Sequence, residues 1–379
     1  MKKKHEESFD IIRAISAIAI VLSHYSYTFY EYAIHESGPE FLGFKNGDAG
    51  GIFVDIFFML SGAALLYNHR SLGSLKEVLD FFKKRWLSIF PMFYIAWTVM
   101  YIINSLRVGS WFWGGPRRNF LLSAIGMDGY FLHLGMNYYN LGEWFLGGII
   151  LLYLLYPLLL FLWNKAKIPS TVLITFIFLF NLRRHYFSSA PDSNIFIVFI
   201  KYYNSHIVIS DNMCLWTCIM NFWTGFILVT LFLPFAKKLD LKGSLMAAVP
   251  TVLLILPFFL IELPLNKQES CTILAVLFYM LITFLTPAVI LFSVPAKVLS
   301  LISKYSYGIF LVHHVLLYGI MALVRKFTFT WITSMIFFIP LFTFILLVGI
   351  LLTKTGDGLI YGIRKLLRIL PGSETREGT

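Results

Sequence analysis

The sequence predicts an all-α polytopic membrane protein. Three observations carry that expectation. Of the 379 residues, 58% are hydrophobic and only 13% are charged, with a mean hydropathy of +0.75. A soluble domain cannot bury that much apolar side chain. The apolar residues fall in windows near the ~20 residues that a bilayer core demands of a helix. Aromatic residues make up 18% of the chain and flank many of those windows, as side chains at membrane interfaces do.

Ten spans are expected, roughly at 10–32, 50–68, 87–105, 141–163, 168–183, 213–235, 245–263, 270–293, 304–324 and 332–353. The fifth is the shortest. The stretch 194–209 is apolar but broken by Lys201, Asn204 and His206, and it reads as interfacial or re-entrant. Charge supports this count. With the N-terminus inside, the cytoplasmic segments hold 21 of the 31 lysines and arginines, as the positive-inside rule requires for both termini cytoplasmic. An eleventh span at 194–209 would move Lys237, Lys238 and Lys242 outside and break that bias. The net charge of +11 is thus accounted for by basic cytoplasmic loops, with no call for a nucleic-acid partner. The expected organisation is one integral-membrane unit over 1–360 and a basic cytoplasmic tail over 361–379.

The opening MKKK followed by a long apolar run containing Arg13 and His24 reads as a retained first helix, because a secretory h-region is short and uncharged. Cys214, Cys218 and Cys271 form neither a disulfide framework nor a zinc-ligand pattern, and read as apolar filler.

Polar residues inside the spans carry the functional signal, since a bilayer tolerates them only where they are used or paired. Arg13 and His24 are eleven residues apart, which places them about 20° apart around a helix and roughly 16 Å apart along it. Arg13 then lies near the cytoplasmic mouth and His24 near the midplane. The second span, GGIFVDIFFMLSG, brings in Asp55, whose carboxylate needs a partner such as a histidine N–H or an arginine; Ser61 and Gly62 suit close helix packing. The third span follows FFKKRWLSIFP. Lys83 and Lys84 suit positive-inside signalling, and Arg85 gains a further role if it faces the same cavity as Arg13, because paired guanidiniums suit phosphate. His313 and His314 in the ninth span are adjacent and point about 100° apart, so one of them is expected to be packing. Glu143 and Trp144 stand at the external edge of the fourth span. Together these residues suit proton transfer to a substrate whose partner arrives from the cytoplasm.

In this order the motifs resemble the membrane-bound acyltransferase-3 family, the bacterial ten-helix O-acyltransferases of surface glycans. The similarity covers about residues 8 to 352. It is carried by Arg13 and His24, by GGIFVDIFFMLSGAALL, by KKRWLSIFPMFY and by SYGIFLVHH. The resemblance implies a multi-pass protein of the bacterial plasma membrane. It also implies transfer of an acyl group, commonly acetyl, from cytoplasmic acetyl-CoA or another acyl-CoA to a hydroxyl of a cell-surface polysaccharide or lipid-linked sugar, with no metal. His24 would be the catalytic histidine, with Asp55 and His313 supporting it. Arg13 and Arg85 would hold the donor's phosphates, with Lys84 as a further contact. The chain departs from the family pattern at Ser88, where a second arginine is common, and at Ile149, where many members have a glutamate. The alternative from another class is a proton-coupled transporter of a glycan or small anion. A covalent acyl-histidine route and an assembly protein without activity also remain open.

Overall fold

The computed structural model describes residues 5–32, 48–132, 138, 141, 144–188 and 213–369, all helix and connection with no strand among them. The expected stretch 194–209, Glu143 and the chain after residue 369 lie outside the described residues. Nine described helices are long and apolar enough to cross a membrane. We number them α1 (Glu7–Glu31), α2 (Ala49–Asn68), α3 (Leu75–Val108), α4 (Phe145–Ser188), α5 (Leu215–Ala236), α6 (Leu241–Ile255), α7 (Lys267–Leu291), α8 (Ser293–Val324) and α9 (Trp331–Ile369).

Helix α4 is two spans. Its backbone leaves helical geometry at Ala166 (φ −143°, ψ 44°), and Pro169 follows. Contacts with α2 and α7 show the reversal, and both arms also touch α5. On the first arm Tyr156 meets Phe226 and Trp163 meets Trp223; on the second arm the Trp223 indole N–H donates to Thr171 and Thr175 reaches Met220. The first arm starts beside the middle of α2, with Phe145 lying 4.6 Å from Phe58 between ring centres, and the start of α7 lies by Asp48, at the opposite end of α2 from Arg70. The bend sits beside the end of α2, where Asn164 donates to the Arg70 carbonyl. The far end reaches the start of α7, where Arg183 pairs with Glu269 at 2.6 Å. The two expected spans 141–163 and 168–183 are these two arms.

Several helices outrun the apolar windows that predicted them. The third was expected to start at 87 and starts at Leu75, because Ser74 caps its first turn through the Glu77 N–H and Glu77 reaches back to the Gly73 N–H. Lys83, Lys84 and Arg85 are therefore helical rather than in a loop, and Pro91 lies within the helix instead of before it. Helix α8 likewise begins at Ser293 and α9 runs on to Ile369. A hydropathy window sees only the membrane-buried length and is blind to polar helical ends. Helix α7 opens with a capping box between Asn266 and Glu269.

The bundle has two faces. Glu6, Arg13, His69, Arg85, Lys237 and Ser303 gather on one, which we call the Arg13 face; Glu6 and Lys237 form a close ion pair there. The Lys237 ammonium is pushed above its ordinary range by its hydrogen bond to Glu6. Asp48, Lys267 and Tyr318 mark the other, the Asp48 face.

Two close crossings fix the helices around the centre. A Cβ on Gly62 would sit 2.0 Å from the Phe222 carbonyl oxygen, and one on Gly225 would sit 1.9 Å from that of Met59, so α2 and α5 touch backbone to backbone. Gly308 of α8 also packs closely on α9, where a Cβ would sit 2.4 Å from the Gly349 carbonyl oxygen. Helix α1 is buried between α2 and α8, and its Tyr25 hydroxyl donates to the Ser334 carbonyl of α9 at 2.9 Å. Cys214, Cys218 and Cys271 are buried, and no disulfide joins them.

Gly62→Ala and Gly225→Ala each destabilise the bundle by about 1–3 kcal/mol, the range for overpacked contacts. Thermal unfolding in detergent measures this. An unchanged melting temperature for both would contradict the α2–α5 crossing.

Candidate active site

Two cavities run through the Arg13 half of the bundle. The outer one, about 370 Å³, opens on the Arg13 face and is lined by His5, Glu6, Asp10, Arg13, His69 and Arg85 among others. The inner one, about 260 Å³, is lined largely by apolar residues and reaches His24. Arg13, Ser61 and Tyr153 belong to both walls, so the cavities meet there.

Helical periodicity explains who lines this path. On α1, Phe9, Arg13, Ile20 and His24 form one stripe. On α2, Val54, Phe57, Ser61, Ala64 and Asn68 form another. Phe145, Ile149 and Tyr153 come from the first arm of α4, and Ser306, Tyr307 and Phe310 from α8. Ser61, read from the sequence as a packing residue, lies where the cavities join, whereas Gly62 beside it makes the α5 crossing.

Arg13 is held from two sides. Its Nη1 lies 3.3 Å from Asp10 Oδ1, one turn earlier, and donates to Ser303 Oγ of α8 at 3.3 Å. Ser303 in turn donates to Asp10 at 2.8 Å, which closes a three-membered polar knot. His5 also approaches Asp10, at 3.6 Å. Asp10 and Ser303 were not singled out from the sequence. The i, i+3 spacing of Asp10 and Arg13 was a usable signal; nothing local points to Ser303.

Arg85 faces the same outer cavity, its guanidinium 5.7 Å from the ring centres of Phe81 and Tyr153. Lys84 does not share that position. One residue earlier means about 100° around α3, and its side chain is exposed outside both cavity walls. Ser88, one turn after Arg85, lines the inner cavity and turns its hydroxyl back to the Arg85 carbonyl at 2.8 Å. Ile149 lines the same cavity, so both positions where the chain departs from the motif pattern face one space.

His24 sits between two histidines. Its ring centre is 5.3 Å from that of His313 and 4.7 Å from that of His314. The expectation that one of this pair only packs is corrected: both flank His24, because a ring placed between two diverging side chains is reached by each. His313 is fully buried, and its Nδ1 lies 2.8 Å from the Phe310 carbonyl. A carbonyl only accepts, so Nδ1 carries the proton and Nε2 is the acceptor in the neutral ring. His314 packs its ring 4.6 Å from Tyr318, continuing toward the Asp48 face.

Asp55 lies elsewhere. It is 1% exposed, on the face of α2 turned to α7, and lines neither cavity. Its Oδ2 accepts from Gln268 Nε2 at 2.8 Å and from Thr272 Oγ1 at 3.1 Å. The expected histidine or arginine partner is replaced by an amide and a hydroxyl, which meet a buried carboxyl's need for donors without a second charge. Among the described residues, no group of three His, Cys, Asp or Glu side chains is arranged to hold a metal ion.

Gln268→Leu leaves Asp55 short of a buried donor and lowers stability by about 1–3 kcal/mol. Adding Asp55→Leu restores most of the loss. A double-mutant cycle read by thermal unfolding checks this, and strictly additive losses would contradict the pairing.

A family model described as an acyltransferase domain matches residues 6–354. No curated protein and no solved structure matches the chain.

Proposed function

The chain belongs to the acyltransferase-3 family, so it is a membrane acyltransferase, and we propose that it moves an acyl group from cytoplasmic acyl-CoA to a hydroxyl of a cell-surface polysaccharide or lipid-linked sugar. One observation carries the reading: a polar cavity holding two guanidiniums joins, at Arg13, an apolar chamber that reaches His24. That is the shape a long thioester donor needs, with phosphates at one end and a reactive carbonyl at the other. The basic Arg13 face supports a cytoplasmic mouth in a bacterial plasma membrane.

In this reading Arg13 and Arg85 bind the donor's phosphates. Arg85 stays adaptable on its aromatic seat, while Arg13 is fixed by Asp10 and Ser303. The thioester passes Ser61 and Tyr153 and brings its carbonyl to His24. The acceptor hydroxyl arrives from the side of His314 and Tyr318. His24 takes the hydroxyl proton as the oxygen attacks the carbonyl carbon, an ester C–O bond forms, the C–S bond breaks, and the proton passes to the leaving CoA thiolate. His313, held through Nδ1 by the Phe310 carbonyl, packs its ring beside His24 and so fixes the position of the His24 ring. Asp55 acts at a distance from the reacting atoms, as a packing group between α2 and α7.

His24→Ala cuts acyl transfer by about 10²–10⁴-fold, the range for a lost general base, while the protein stays in the membrane. NMR of the surface polysaccharide from cells carrying the variant then lacks the O-acyl ester. Undiminished ester in that variant would overturn the mechanism. A transporter would lose no ester bond of its own making. Arg85→Ala raises KM for acyl-CoA by about tenfold or more and leaves kcat nearly unchanged, because it removes a charge-assisted contact to the donor's remote end.

A further inference from the structure

A hollow separate from the Arg13–His24 path lies where the end of α2, the bend of α4 and the end of α5 meet. It holds about 330 Å³ and is lined by Tyr67, Arg70, Trp163, Asn164, Thr230 and Pro234 among others. Trp163 and Asn164 also border a second hollow formed by the bend itself, which carries Lys165 and Lys167. The local sequence explains why space is left here. Helices α2 and α5 touch at Gly62 and Gly225. Beyond that crossing α5 winds as a π-helix over Leu228–Phe232, with the Leu233 N–H bonded to the Leu228 carbonyl, and Pro234, which has no N–H to donate, follows. The first arm of α4 ends at Ala166, so the second arm starts anew beside the hollow, and a helix start carries the positive end of its dipole. The Asn164 amide, donating to the Arg70 carbonyl at 3.1 Å, holds the bend against the end of α2.

Charge and surroundings define what fits. Among the described residues, Arg70, Lys165 and Lys167 enter no ion pair, and no carboxylate lines either hollow. Lys237, whose ammonium lies 5.7 Å from the Tyr67 ring centre, is already paired with Glu6. The Lys167 ammonium lies 4.7 Å from the ring centre of buried Trp163. Ile168 in the bend and Leu231 on α5, one turn before Pro234, are largely exposed, as apolar side chains turned to lipid are. Unpaired cations around a hollow, bordered by apolar surface at the end of membrane-crossing helices, match a headgroup phosphate with its acyl chains alongside.

We propose that this hollow binds an anionic phospholipid, with Arg70, Lys165 and Lys167 around the phosphate and the acyl chains along Ile168 and Leu231. The inference stands apart from the donor reading, since none of the three cations lines the path to His24.

Native mass spectrometry of the full chain in detergent, with added dioleoyl phosphatidylglycerol or dioleoyl phosphatidylcholine, tests it. The two lipids share a phosphate and differ in net charge. Phosphatidylglycerol binds more tightly by about tenfold or more, and Arg70→Gln, Lys165→Gln and Lys167→Gln each reduce that preference by about fivefold, the factor one cation near a membrane surface carries. Lys165→Arg with Lys167→Arg keeps the preference. So does Lys83→Gln with Lys84→Gln, at exposed basic positions that line neither hollow. Lys165 and Lys167 are exposed, so their double glutamine variant folds and elutes as the parent does even where the Arg70 change is not tolerated. Equal binding of the two lipids, or an undiminished preference in that double variant, overturns the proposal. Millimolar glycerol 3-phosphate leaves the lipid bound; its displacement would make this a site for free phosphate and overturn the lipid assignment.

Discussion

A guanidinium near the start of a helix packed among apolar neighbours must be held by other side chains, and the position of Arg13 depends on how that is done. Asp10 supplies the charge from one turn away, and Ser303 supplies a second oxygen from α8. Because Ser303 also donates to Asp10, the knot locks α1 to α8 at the Arg13 face. Eleven residues further along the same stripe, His24 stands between His313 and His314, again on α8. Tyr25 then ties α1 to α9. The first helix is thus fixed at intervals along its length, and the two cavities take their shape from the gap that α2, α3 and the first arm of α4 leave around it.

Two separate polar systems flank α2. One lines the path from the Arg13 face to His24 and contains the flexible and ionisable groups. The other is the Asp55–Gln268–Thr272 set between α2 and α7, fully buried and satisfied by neutral donors. Neutral partners suit a group whose task is to hold helices together, because they leave no second charge to desolvate. The family motif containing Asp55 therefore serves two ends within a few residues. Asp55 and Gly62 bind α2 to its neighbours, and Val54, Phe57 and Ser61 line the path.

Much of this was legible beforehand because membrane helices announce themselves by apolar length. The windows 141–163 and 168–183 stood apart because Lys165 and Lys167 interrupt the run, and the chain turns back between them at Ala166. Arg13 and His24 were legible as a pair because helical spacing alone places them on one face. What was not legible depended on rotation by one residue or on distant partners. Lys84 and Arg85 look alike in sequence, yet 100° of helix sends one to solvent and the other into the outer cavity. Adjacent histidines looked mutually exclusive until the ring between them was located. Gln268 lies 213 residues from Asp55, and nothing in either neighbourhood signals the other. The amphipathic starts of α3 and α8 escaped a hydropathy window for the reason that makes them useful: they carry polar side chains such as Arg85 and Ser303 to the mouth of the path.

The central claim is that one continuous path leads from the basic face to His24 and is filled by acyl-CoA. Ser61 sits where the two cavities join, and the three native cysteines are buried. The direct measurement is labelling of Ser61→Cys by a membrane-impermeant maleimide in vesicles of known sidedness. The account predicts labelling from the cytoplasmic side alone, slowed strongly by acyl-CoA and by CoA. Labelling from the external side alone, or cytoplasmic labelling that acyl-CoA leaves unchanged, would contradict it.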